Sequence, residues 1–142
     1  MYALPGDVFV SGQVSPSQLE ALSEQGVQGV INNRPNGEAP SQPTSEDLEK
    51  AATALSLGYV HIPMSGSITP DLIEASVKAY ENAPRPIIAF CAGGMRSTAL
   101  WAFAHVKTLG LDAVVKALDD SPYTLTQIYP MLAQYAEPSG HD

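Results

Sequence analysis

Short apolar runs alternate with stretches of helical period along this chain, and clusters of glycine, proline and asparagine separate them. Val8-Phe9-Val10 predicts a short strand. Ser15-Pro16-Ser17-Gln18 then places a capping serine, a proline at the first helical position and a glutamine three residues after the cap. That combination predicts a helix to about Glu24, closed by Gly26. Val27 to Ile31 reads as the next strand. Thr44 caps a helix expected from Ser45 to about Leu57, with Gly58 at its C-terminus. Tyr59 to Pro63 is a third β segment, and Thr69-Pro70-Asp71 opens a helix reaching about Tyr80. Ile87-Ile88-Ala89-Phe90 is continuously apolar, as suits a strand covered on both faces. After it, Thr98 to Val106 is an apolar helical run. Beyond Gly110 two more helices are expected, from Asp112 to Leu118 and from Leu125 to Tyr135, with Pro130 kinking or restarting the second.

Strands that alternate with helices imply right-handed crossovers. The expected fold class is therefore α/β, a mostly parallel central sheet flanked by helices, with a helical C-terminus. Residues 1–142 are expected to form one domain. Loops at the carboxyl ends of parallel strands converge on one edge, where such sheets bind ligands. Three loops meet that rule: Asn32 to Glu38, Pro63 to Ser67, and Cys91 to Arg96.

The last of these carries the chemistry. Cys91, the only cysteine, ends the apolar strand, and Ala92-Gly93-Gly94-Met95 leads to Arg96 and Ser97 at the start of a helix. Gly93 and Gly94 permit backbone conformations closed to other residues, so the amides can curl inward. Inward N–H groups and the helix N-terminus create positive potential, which favours a thiolate. Arg96 supplies planar, bidentate donors for an oxyanion, and Ser97 can donate to the sulfur or cap the helix. A lone cysteine is more often an ordinary buried side chain. Strand, cysteine, paired glycines, arginine and helix together favour a nucleophile.

Composition narrows the partners. The formal net charge is −8, with only seven lysines and arginines, which argues against nucleic acid or an anionic membrane. One cysteine excludes an internal disulfide, and no apolar run approaches bilayer length, so a cytoplasmic protein is expected.

Arg34, beside a turn, can clamp the distal part of an anionic substrate, and Glu38 can orient Arg34 or shuttle a proton. A salt-bridged turn explains the same pair equally well. Arg85, between two prolines, reads as exposed surface. His61 reads as a satisfied strand histidine, and Asp71 as a first-turn carboxylate rather than a general acid. Trp101 and Phe103 fit helix packing, and Met95 borders the pocket. His105 and His141 form no zinc pattern with the single cysteine, and no cofactor or metal is implied.

Several stretches resemble the bacterial beta-lactamase-hydrolase-like, phosphatase-like domain family: Ser11-Gly12-Gln13, Asn33-Arg34-Pro35-Asn36-Gly37-Glu38, Gln42-Pro43, His61-Ile62-Pro63, and Cys91 with Gly94, Arg96 and Ser97 ahead of Leu100-Trp101. The resemblance implies a shortened dual-specificity phosphatase fold, a nucleophilic Cys91 and Arg96 as anion clamp. It also implies, as a partner, the persulfide-oxidising metallo-hydrolase to which some members are fused. Ala92 and Gly93 depart from the family, which usually has a basic or polar residue and then a hydroxyl residue there.

Tyrosine-phosphatase-type loops hold one more residue between cysteine and arginine, whereas rhodanese-type sulfurtransferases share the four found here. The missing residue removes roughly 3.8 Å of contour. A loop surrounding a phosphoryl group needs donors within about 3 Å of each oxygen, and phosphate-ester hydrolysis needs an acid for the leaving oxygen. Only Asp71 or Glu38 offers one. Sulfur transfer through a Cys91 persulfide, from thiosulfate or another persulfide to a thiol, is therefore the leading expectation. The alternative is a phosphatase working through a cysteinyl-phosphate, with a phosphoester in place of the small anionic sulfur donor. A third possibility is an inactive domain that binds a phospho-ligand or partner.

Overall fold

The computed structural model describes residues 1–137. Five strands form one sheet in the order β1-β2-β5-β3-β4. They are β1 (Tyr2–Leu4), β2 (Val8–Ser11), β3 (Gly29–Asn32), β4 (Gly58–His61) and β5 (Ile87–Phe90). β2, β5, β3 and β4 run parallel, and β1 pairs antiparallel with β2 at one edge. The α/β expectation holds, and the four parallel strands end on one side.

β5 is central because its alternate side chains enter different cores. Ile87 and Ala89 join α3 (Pro70–Asn82), α4 (Met95–Leu109), α5 (Leu111–Asp120) and α6 (Tyr129–Ala136) through Ile73, Trp101, Phe103, Val114, Leu118 and Leu132. Ile88 and Phe90 pack on the other face against Leu19 and Leu22 of α1 (Pro16–Glu24) and Leu48 and Ala52 of α2 (Ser45–Ala54). Each fully buried large side chain contributes about 1.5–3 kcal/mol of apolar transfer. Among the described residues no helix is long and apolar enough to cross a membrane.

Helix starts follow their sequence signals. Ser15 and Gln18 form the capping box of α1, and Thr44 and Thr69 accept from the N3 amides of α2 and α3. Four features differ from expectation. β1 has no sequence pattern of its own and exists by pairing with β2. α2 stops at Ala54, because Ser56 takes φ 61° and turns Leu57 into the core, while Gly58 opens β4. The helix expected from Leu125 begins instead as a 3-10 turn over Thr126–Ile128, and it restarts at Tyr129 with Pro130 in its first turn, as the proline led one to expect. Arg85 is half-buried rather than exposed surface: it donates to the Gly6 and Tyr80 carbonyls and lies over the Tyr80 ring. His141 lies outside the described residues.

Candidate active site

β5 delivers Cys91 to the carboxyl edge of the sheet, where the residue is buried. The Gly94 N–H donates to Cys91 Sγ at 3.1 Å. Gly94 sits at φ 97°, a left-handed conformation that favours glycine, and precedes α4 with no side chain capping the helix. The curl brings one amide, that of the α4 N-cap residue Gly94, to the sulfur. Ala92 and Gly93 are exposed at the loop tip, and Met95, 44% exposed, borders it. A second glycine closes the site from the β2 side: a Cβ on Gly12 would lie 2.9 Å from the Ala92 carbonyl oxygen. This close approach lets the Gln13 N–H reach the same oxygen at 3.4 Å.

The other two predicted loops meet this one at Arg96. Its Nη1 donates to the Met64 carbonyl at 2.8 Å and to Glu38 Oε2 at 2.9 Å, while Nη2 donates to Glu38 Oε1 at 2.9 Å. Arg34 reaches the same carboxylate through Nε at 2.9 Å and holds Gln13 Oε1 through Nη1 at 3.1 Å. Glu38 thus lies between two guanidinium groups. Hydrogen bonds from Arg96 and then Arg34 hold its carboxyl well below the usual range, at about 2. The pairing in turn pushes Arg96 up, with the neighbouring Cys91 adding to the effect. Of the five guanidinium N–H donors, Nε–H and one on Nη2 remain for an oxyanion beside the sulfur.

Glu38 forms the salt-bridged turn with Arg34 that the sequence allowed, and it pairs with Arg96 besides. Ser97 differs from expectation. Its hydroxyl neither touches the sulfur nor caps α4; it donates to Asn33 Oδ1 at 2.8 Å, in a buried contact that ties α4 to the end of β3. Asn33 Nδ2 donates to the Ile62 carbonyl, and the Asn33 N–H to the Phe90 carbonyl. His61 pairs through Nε2 with the Arg34 carbonyl at 2.8 Å, the satisfied strand histidine expected. Asp71 is exposed in the first turn of α3. Among the described residues no cluster of His, Cys, Asp and Glu suits a metal.

Two kinds of residue escaped the sequence. Gln13, Asn33 and Gln42 lie in the family-like stretches, but no role could be read for them. Gln42 accepts from the Glu38 and Ala39 amides and donates to the Pro35 carbonyl, which shapes the turn carrying Glu38. Tyr123, after α5, carried no sequence signal at all. Its hydroxyl lies so close to Gly94 that a Cβ there would meet it at 2.1 Å. Burial and then the charge of Cys91 push this phenol up.

The chain and its fold both have counterparts in known proteins. Residues 1–108 match the model of the phosphatase-like domain of beta-lactamase hydrolase-like proteins. The chain belongs to this family. A beta-lactamase hydrolase-like protein of Agrobacterium fabrum is 31% identical over 128 residues, covering 87% of this chain and 28% of that one. One from Xylella fastidiosa is 32% identical over 98 residues, covering 68% and 23%. The chain thus spans about a quarter of the length of these relatives.

Solved structures share the fold of this phosphatase-like domain. A candidate phosphatase from Neisseria meningitidis superposes with a TM-score of 0.75 at 22% identity, over 90% of this chain and 92% of that one. The core catalytic domain of the S. cerevisiae PP-IP phosphatase SIW14 gives 0.67 at 16% identity, over 94% and 83%. The fold is that of the cysteine phosphatases, as the resemblance implied. Neither family nor fold supports sulfur transfer; both fit the phosphatase alternative better.

Proposed function

We propose that this domain hydrolyses phosphoesters through a cysteinyl-phosphate on Cys91. The carrying observation is the Gly94 N–H bonded to Cys91 Sγ at the uncapped N-terminus of α4, with Arg96 alongside, in a cysteine-phosphatase fold. The Cys91 thiolate attacks phosphorus, and the P–O ester bond breaks. Loop amides and the free donors of Arg96 stabilise the charge on the phosphoryl oxygens, where preorganised donors matter most. Water then attacks phosphorus, releasing phosphate and restoring the thiolate. Arg34 acts through Glu38, holding the Arg96 fork in register. The acidic chain fits neither nucleic acid nor an anionic membrane as partner.

A second reading, sulfur transfer through a Cys91 persulfide, is favoured by one observation: four residues separate Cys91 from Arg96. One experiment separates the two. Native protein and Cys91→Ser are compared on an aryl phosphate, on thiosulfate with cyanide, and on glutathione persulfide, with mass spectrometry of Cys91 after each. Cys91-dependent phosphate release with a trapped phosphoryl adduct is the expected result. Sulfur turnover with a sulfur-loaded cysteine would replace this function with the second, and no turnover with retained phosphate binding would make the domain a phospho-ligand binder.

A further inference from the structure

Breaking a P–O ester bond leaves an oxygen that needs a proton. Both carboxylates that the sequence offered fail. Glu38 is held ionised by Arg96 and Arg34, and Asp71 is exposed in the first turn of α3, with no hydrogen bond to the Cys91 loop among the described residues.

Tyr123 brings a hydroxyl to this loop from outside the three converging strand ends. The segment after α5 is pinned by Ser121, whose Oγ donates to the Leu118 carbonyl at 2.7 Å and accepts the Tyr123 N–H at 3.2 Å. The ring packs against the core cluster beside the buried Leu125. Its hydroxyl then lies over the bare Cα of Gly94, where a Cβ would stand 2.1 Å from the oxygen and 2.8 Å from Cζ. Gly94 is also the residue whose N–H holds Cys91 Sγ. The phenol therefore lies against the residue whose amide holds the nucleophile. Burial and the charge of Cys91 raise its pKa, so it carries its proton throughout the neutral range.

We propose that Tyr123 is the proton donor to the leaving-group oxygen. The proposal rests on the phosphatase reading. As the Cys91 sulfur bonds to phosphorus and the ester P–O bond breaks, the Tyr123 proton passes to the departing alkoxide, leaving a tyrosinate. In the second step water attacks phosphorus, the S–P bond breaks, and the tyrosinate takes the water's proton. The enzyme is regenerated, and the net reaction is ester hydrolysis with no oxidant or reductant. Such an acid serves alkyl phosphates, whose alkoxides are strong bases, and matters little for nitrophenyl phosphate.

The test is kcat/KM for a series of phosphate monoesters of increasing leaving-group pKa, using native protein and Tyr123→Phe. The expected result is a loss that grows along the series to about 100-fold or more for alkyl esters, the usual scale of general-acid catalysis. An equal loss for every ester, or none, would overturn the proposal, because a purely structural role does not depend on the leaving group. Difluorotyrosine at position 123 provides a second measurement that keeps the hydroxyl and its packing. With alkyl esters, the basic limb of the pH profile should move to lower pH; an unmoved limb would overturn the proposal. Absence of Cys91-dependent hydrolysis in native protein would remove the phosphatase reading and this role together. Hydrolysis without leaving-group sensitivity would remove only the role of Tyr123.

Discussion

Glu38 carries more of the site's electrostatics than its place in a turn suggests. Its carboxyl is lowered from 4.5 to about 2 by the two arginines, so the folded state binds its proton more weakly than the unfolded chain does. The stabilisation is fully present above about 4.5 and is lost as pH falls through about 2. Comparing acid unfolding of native protein with Glu38→Gln tests the sign. The native advantage should shrink below pH 4.5 and vanish near pH 2; an advantage that grew on acidification would show that the arginines do not hold the carboxylate. Turnover of Glu38→Gln should fall by about 10- to 100-fold, since a misplaced clamp costs rate out of proportion to its effect on stability. The sequence suggested an Arg34–Glu38 pair in a salt-bridged turn. It did not reveal that Glu38 bonds more extensively to Arg96, 58 positions away.

At the level of the element, the turn from β5 into α4 treats its two glycines differently. A Cβ on Gly93 meets no atom within 4 Å, whereas Gly94 is held at φ 97° under Tyr123. Gly93→Ser should change unfolding free energy by no more than about 0.5 kcal/mol. Gly94→Ala should cost roughly 1–3 kcal/mol from backbone strain alone, besides displacing the phenol. Denaturant unfolding of both variants, and of Gly94→Ala combined with Tyr123→Ala, separates the contributions. The double variant should recover the part due to contact and keep the part due to strain. Equal costs at the two glycines would show that the loop does not hold this conformation. The strand, the turn and α4 were legible because continuous apolar residues, paired glycines and a helical run are local signals. β1 and the early stop of α2 were not, because β1 depends on β2 and the stop depends on burying Leu57 in a core built from distant residues.

Across the whole molecule, parallel strands gather the ends of β2, β3, β4 and β5 at one edge, and buried polar ties lock them there. Ser97 to Asn33 is such a tie, linking positions 64 residues apart. Ser97→Ala leaves the buried Asn33 Oδ1 without this donor and should destabilise the fold by about 1–3 kcal/mol. Alkylation of Cys91 should proceed at the native rate, because the hydroxyl does not touch the sulfur. Unchanged stability with a slowed alkylation would instead assign Ser97 to the nucleophile. The sequence by itself determined the alternation of strands and helices, the helix starts at Ser15, Thr44 and Thr69, the sheet edge on which three loops converge, and the placing of Cys91 and Arg96 in one of those loops. Periodicity, capping and turn chemistry act over a few residues and leave a readable pattern. Only the tertiary structure decided that Glu38 joins two arginines, that Ser97 serves Asn33, that Arg85 is half-buried and that Tyr123 lies over Gly94. Each of these depends on residues that folding brings together from distant parts of the chain, and no local pattern encodes which of them will meet.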